Sequence, residues 1–115
     1  MRNLMPEIYR QRLIIEGIFD VVVSKEKIVE LLGKLTNILE MRPIISPITF
    51  SPKHIHHGFA GFLAWEESGV SVYTWIPERF VTVDIYSCKA FKIKKAVDFV
   101  KNFFNCDRIV YKEIK

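Results

Sequence analysis

Two short stretches of this chain hold the side chains best suited to covalent chemistry. Glu66-Glu67-Ser68-Gly69 sets a hydroxyl between acids and a glycine, and Ser87-Cys88-Lys89 sets a thiol beside a lysine. A cysteine near a helix N-terminus and a cation has its thiolate favoured, which makes Cys88 a candidate reactive thiol rather than an inert buried one. The first stretch also has a plainer reading, a polar β-turn with its glycine. His54, His56 and His57 cluster, but no second ligand pair has zinc-site spacing, so no metal is expected and the cluster reads as a polar loop leading into a strand. Cys88 and Cys106 are too few for a disulfide framework and have the plain alternative of small buried hydrophobes.

The elements that must position these groups are legible in the hydrophobic pattern. Apolar, β-branched residues from Arg12 to Val23 predict a strand over roughly 11–18 and a turn near Asp20. Ser24 is a plausible helix N-cap, and Ile28, Leu31, Leu32, Leu35, Ile38 and Leu39 recur at spacings of three and four, predicting a helix over about 25–39. Arg42-Pro43 ends it. Four strands follow, over Ile44 to Phe50, Gly58 to Trp65, Val70 to Trp75 and Phe80 to Tyr86, punctuated by Pro47, Pro52 and Pro77. A second amphipathic helix runs through Ile93, Ala96, Val97, Val100, Phe103 and Phe104, and Arg108 to Ile114 is a last strand. The order β-α-β-β-β-β-α-β predicts an α+β two-layer sandwich, an antiparallel sheet with both helices on one face. Apolar residues on the other sheet face predict that it packs on something, most simply a second copy of the chain.

Composition bounds the rest. The chain has 115 residues, 17 Lys+Arg and 13 Asp+Glu, for a net charge of +4; half its residues are hydrophobic and 26% charged, which is globular and not disordered composition. That is one domain's worth of chain, with no repeat or linker. No apolar run approaches the ~20 residues needed to span a bilayer. Residues Met1 to Tyr9 match neither a signal peptide nor a lipidation site, so a cytoplasmic location is expected. The lysine-rich face of the second helix reads as a solvated surface, and nucleic acid is not an expected partner.

The run Glu67-Ser68-Gly69-Val70-Ser71-Val72-Tyr73-Thr74-Trp75, followed by Val83-Asp84-Ile85-Tyr86-Ser87-Cys88, resembles the prokaryotic S-adenosylmethionine decarboxylases. That family carries Glu-Ser-His, a short strand ending in His-Thr-Trp-Pro-Glu, a strand with Asp, and a cysteine twenty positions after the serine. Ser68 and Cys88 stand twenty apart, with Thr74, Trp75 and Asp84 in step. Upstream, His57-Gly58-Phe59-Ala60-Gly61 is similar to the family's Gly-x-Ser-Gly. The likeness covers roughly residues 12–112.

The resemblance implies a proenzyme of α/β-sandwich fold that cuts itself and works as a homodimer or larger homo-oligomer, with active sites at the interface. Ser68 would attack the carbonyl of Glu67, and β-elimination would leave a β chain of residues 1–67 and an α chain of 68–115 headed by a pyruvoyl group. That cofactor would bind S-adenosylmethionine as a Schiff base and act as the electron sink for CO2 loss. The product is the aminopropyl donor for spermidine and related polyamines. Cys88 takes the place of the family's proton donor, and Tyr73, His54 and Trp75 are the candidate substrate-contacting residues.

Three positions depart from the family pattern. Tyr73 replaces the histidine and Ala60 the serine that assist self-cleavage, and Gly69 replaces the histidine after the cleavage serine. A tyrosine with its ordinary pKa near 10 is no base at neutral pH; His54, His56 and His57 are the nearby alternatives. These departures support a second reading: an uncleaved, non-enzymatic homologue that binds S-adenosylmethionine or a related nucleoside, or regulates an active partner.

Overall fold

A computed structural model describes residues 2–51 and 57–114. The element order is β1 (Gln11–Ile18), α1 (Lys25–Ile38), β2 (Ile48–Phe50), β3 (Ala60–Trp65), β4 (Ser68–Trp75), β5 (Phe80–Ser87), α2 (Ile93–Phe103) and β6 (Arg108–Ile114). The strands form a six-stranded sheet in the order β2-β3-β4-β5-β1-β6, every neighbouring pair antiparallel. This is the predicted order and class. Among the described residues no helix is long and apolar enough to cross a membrane.

Strand alternation sorts the sheet into two faces. Leu13 and Ile15 of β1, Leu63 and Trp65 of β3, Val70 and Val72 of β4, and Val81, Val83 and Ile85 of β5 are buried with α1 and α2 in one core. Gly61 belongs to this face, because a Cβ there would run into the Ile28 and Leu32 side chains of α1. The absence of a side chain on Gly61 is what lets α1 lie close on β3. Each fully buried Leu, Ile or Phe of this core contributes about 1.5–3 kcal/mol. Polar groups in the core are paired: the Trp65 indole donates to Thr36 Oγ1 (2.9 Å), whose own hydroxyl donates to the Leu32 carbonyl (2.7 Å).

The opposite face is open. Phe50 and Val110 are 56% and 64% exposed there, and Ile48, Phe62, Tyr73 and Tyr86 are also well exposed.

Local signals start α1 and stop both helices. The Ser24 hydroxyl accepts from the Lys27 amide and caps α1. At its end Glu40 takes a left-handed backbone (φ 56°), and the Met41 amide donates back to the Thr36 carbonyl (2.9 Å). That pairing is a Schellman turn. Asn105 (φ 47°) and the Cys106 amide repeat it after α2.

Three boundaries differ from expectation. The stretch from Ile44 was expected to be one strand, but its ladder with β3 is confined to Ile48–Phe50, preceded by an isolated Pro43–Trp65 bridge and an Ile44 amide that donates to the Ala64 carbonyl (3.1 Å); Pro43 and Pro47 remove two of the donors a longer ladder needs. The strand expected from Gly58 begins at Ala60. The turn expected around Ser68-Gly69 is shorter, occupying Glu66 and Glu67, with Trp65 opposite Ser68, so the serine is already the first residue of β4.

Candidate active site

The loop-strand-loop region joining the end of α1, the start of β4 and the end of β5 gathers the predicted residues. Glu67 ends the β3–β4 turn, and Ser68 opens β4 directly opposite Ser87, the last residue of β5. Because residues 68, 70, 72 and 74 share one phase of the strand, the Ser68 side chain turns toward the helix layer. Its hydroxyl lies 2.7 Å from Ser87 Oγ and 3.7 Å from Met41 Sδ. Met41 is delivered by the turn that ends α1, and Lys89 Nζ donates to the neighbouring Glu40 carbonyl (2.6 Å), tying the segment after β5 to the same helix end.

Cys88 does not meet Ser68 through its thiol on this geometry; main chain joins them. The Cys88 amide donates to the carbonyl oxygen of Glu67 at 2.8 Å. The sulfur itself lies 3.1 Å from the Tyr86 hydroxyl. That hydrogen bond, followed by partial loss of solvation, raises the Tyr86 phenol above its ordinary pKa. The expected aid from a helix N-terminus is not what positions the thiol, since α2 begins only at Ile93. A helix field fades within its first turn.

On the open face a depression of about 480 Å³ is bordered by Arg12, Phe62, Ser68, Ser71, Asp84 and Tyr86. The Arg12 guanidinium sits over the Tyr86 ring, 4.8 Å from its centre. Burial in the sheet face, then the nearby Glu16 charge, raises the Asp84 carboxyl above its usual pKa. A smaller cleft of about 200 Å³ reaches Ser68 from the other side, between Glu40, Arg42, Glu66 and Lys89. The start of β4 at Ser68 is therefore bordered by space on both sides.

Ala60 and Tyr73 are paired across β3 and β4, so two of the three departures from the family pattern face each other. Tyr73 lies on the open face, five positions along the strand from Ser68, a distance of roughly 16 Å at 3.3 Å per residue. Trp75 shares that face and packs against Phe80 with ring centres 5.4 Å apart. His57 is exposed, with its carbonyl accepting from the Ile76 amide. His54 and His56 lie outside the described residues. Gly58 of the same motif has a packing reason, because a Cβ there would collide with the Thr74 carbonyl. Cys106 is buried beneath Gly17, and burial pushes its thiol pKa up. Among the described residues no three His, Cys, Asp or Glu side chains group as a metal site.

Ser87, Met41, Tyr86 and Arg12 were not singled out from sequence as site residues. For Ser87 the signal was present: residues 81, 83, 85 and 87 form the core phase of β5, and a fully buried serine on that phase calls for a partner.

Comparison with known proteins adds an independent line. The family model described as S-adenosylmethionine decarboxylase matches residues 14–115. S-adenosylmethionine decarboxylase proenzymes of Clostridium botulinum, from strains Langeland and Hall, are each 31% identical over 98 residues, covering 84% of this chain and 81% of theirs. A crystal structure of the adenosylmethionine decarboxylase from Aquifex aeolicus superposes with a TM-score of 0.77 over 93% of this chain and 89% of that one; at 22% identity this is a likeness of fold.

Proposed function

The chain belongs to the S-adenosylmethionine decarboxylase family, and from that premise we propose that it cuts itself between Glu67 and Ser68 and decarboxylates S-adenosylmethionine with a pyruvoyl group made from that serine. The observation that carries the reading is the arrangement around one peptide bond. Ser68 Oγ is hydrogen-bonded at Ser87, and the Glu67 carbonyl that it must attack accepts the Cys88 amide at 2.8 Å. As Oγ attacks, negative charge grows on that carbonyl oxygen, where a fixed main-chain donor already points. Such donors are worth about 10²–10³-fold in rate when charge develops on the oxygen they face.

The residues present fit the cofactor, since Ser68 borders the open-face depression as the first residue of its strand. A pyruvoyl group supplies an electron sink for loss of CO2 from an amino acid. The depression offers what the substrate needs. Arg12 matches its carboxylate, Phe62 and Tyr86 offer aromatic faces to the adenine and the sulfonium, and Asp84 adds an acid beside that cation. Cys88 is the proton source for the carbon that loses CO2, with Tyr86 holding its sulfur. The product is the aminopropyl donor for polyamine synthesis.

The working form in this reading is a dimer joined through the open sheet faces. The exposed Phe50, Phe62 and Val110 are covered in that way, and exposed apolar patches of this kind commonly mark interfaces. The arrangement also explains how the positions of Ala60 and Tyr73 bear on cleavage. They lie far from the Ser68 of their own chain and on the face that meets the partner, so they act on the partner's scissile bond.

A second reading is favoured by Ala60 and Tyr73 themselves, which leave the family's processing positions without serine and histidine: an uncleaved homologue that binds the same ligand. Release of carboxyl-labelled CO2 from S-adenosylmethionine, present in the wild type and lost in Ser68→Ala, is the outcome expected of the enzyme. Tight binding of S-adenosylmethionine without CO2 release is the outcome expected of the second reading.

A further inference from the structure

Ser87 is fully buried, yet its side chain makes three hydrogen-bond contacts whose directions can be worked out. A serine hydroxyl has one proton to give and two lone pairs to receive. The proton goes to the Lys89 carbonyl, 2.5 Å away. One lone pair takes the Lys89 amide at 2.8 Å. The remaining lone pair faces Ser68 Oγ at 2.7 Å, so in this contact Ser68 must be the donor. Met41 Sδ, at 3.7 Å and a weak acceptor, does not compete for that proton.

We propose that Ser87 is the positioning residue of self-cleavage: by engaging the Ser68 proton in a locked acceptor site, it leaves the Ser68 oxygen lone pairs directed away from itself and available to the Glu67 carbonyl. The inference rests on the self-processing reading and extends it to a residue to which the resemblance assigned no role. It also accounts for how a chain with Tyr73 and Ala60 at the processing positions keeps an activated serine. The step is an isomerisation and needs no co-reactant. A bond forms between Ser68 Oγ and the Glu67 carbonyl carbon, the bond from that carbon to the Ser68 nitrogen breaks, and the hydroxyl proton ends on that nitrogen as an amine. Ser87 keeps its own proton throughout. It carries part of the positive charge as the Ser68 O–H bond loosens, and it fixes the side-chain rotamer.

The test is the cleavage rate of the full-length chain, followed by intact mass after denaturation, in wild type, Ser87→Ala, Ser87→Cys and Ser87→Thr. Misplacing a reacting group typically costs about 10²-fold, and a slowing of about 10- to 100-fold is expected in Ser87→Ala. Ser87→Thr keeps the hydroxyl and restores the rate, and Ser87→Cys, a weaker acceptor, falls between. The order of rates separates positioning from a loss of fold, because the thiol is closest to serine in shape and yet is expected to cleave more slowly than the threonine. Wild-type cleavage in Ser87→Ala, or equal rates in the Cys and Thr variants, overturns the proposal while leaving the self-processing reading intact. A wild-type chain that stays whole overturns that reading, and this inference with it.

Discussion

The main-chain amide of Cys88 donates to the carbonyl oxygen of Glu67 at 2.8 Å, while the Cys88 sulfur lies 3.1 Å from the Tyr86 hydroxyl. One residue thus contributes its backbone to the Glu67 carbonyl and its side chain to a separate hydrogen bond. In the proposed function the first serves processing and the second turnover, and substitution can divide them.

Cys88→Ala keeps the amide and removes the thiol. Chain cleavage is expected to proceed at the wild-type rate, whereas clean formation of decarboxylated product falls by about 10²–10⁴-fold, the usual worth of a positioned general acid. Cys106→Ser, at a buried site remote from this hydrogen bonding, leaves turnover per folded molecule unchanged. Product analysis of the two variants by mass spectrometry checks both statements; wild-type product yield from Cys88→Ala contradicts the assignment.

Tyr73→His with Ala60→Ser restores the family's groups and is expected to accelerate cleavage by up to about 10²–10⁴-fold. In the proposed dimer the effect works across the interface. A chain carrying both changes together with Ser68→Ala, mixed with wild type and refolded, should therefore speed cleavage of the wild-type chain. Faster cleavage of the Tyr73→His, Ala60→Ser chain on its own, with no speeding of wild-type cleavage by the Ser68→Ala form of it, contradicts the interface arrangement.

The interface itself is open to sedimentation. The wild-type chain is expected to be dimeric at micromolar concentration, and Phe62→Glu, which sets a charge on the exposed face of β3 without entering the core, shifts it to monomer. A monomeric wild type over that range contradicts a dimer built on this face.

Asp84 makes stability depend on pH. Its carboxyl holds a proton to higher pH in the folded chain than its ordinary value of 3.8, because burial, and then Glu16, disfavours the charge. Above 3.8 the folded chain therefore binds more protons than the unfolded one, and stability falls as pH rises through the raised value. Asp84→Asn removes that loss. Its melting midpoint relative to wild type is expected to be higher at pH 7 than at pH 3.5; a difference that does not change with pH contradicts the linkage.

Much of this was legible in the residues. Ser24 and the three-and-four spacing from Ile28 to Leu39 set α1 within one residue of its observed end, because capping and periodicity are local. The extent of β2 was not legible, since Ile44 and Ile45 are as apolar as a strand but have prolines on either side, and contact with β3 there is limited to an isolated bridge at Pro43 and the Ile44 amide on Ala64. Ser68 and Cys88 were found by their register with a known family. The polar partners that make them a site were not found that way. Met41 arrives through a turn at the end of α1, and Tyr86 and Arg12 meet across two strands that are far apart in sequence. Such contacts are made by topology and leave no spacing to read.

The central claim is that the Glu67–Ser68 bond is cut by the chain itself. Intact mass of the purified protein under denaturing conditions tests it most directly. The expected result is two species, of residues 1–67 and 68–115, with the second lacking a free N-terminal amine, and a single uncut species from Ser68→Ala. A lone wild-type species at 13.5 kDa, unchanged on long incubation and in hydroxylamine, would contradict it.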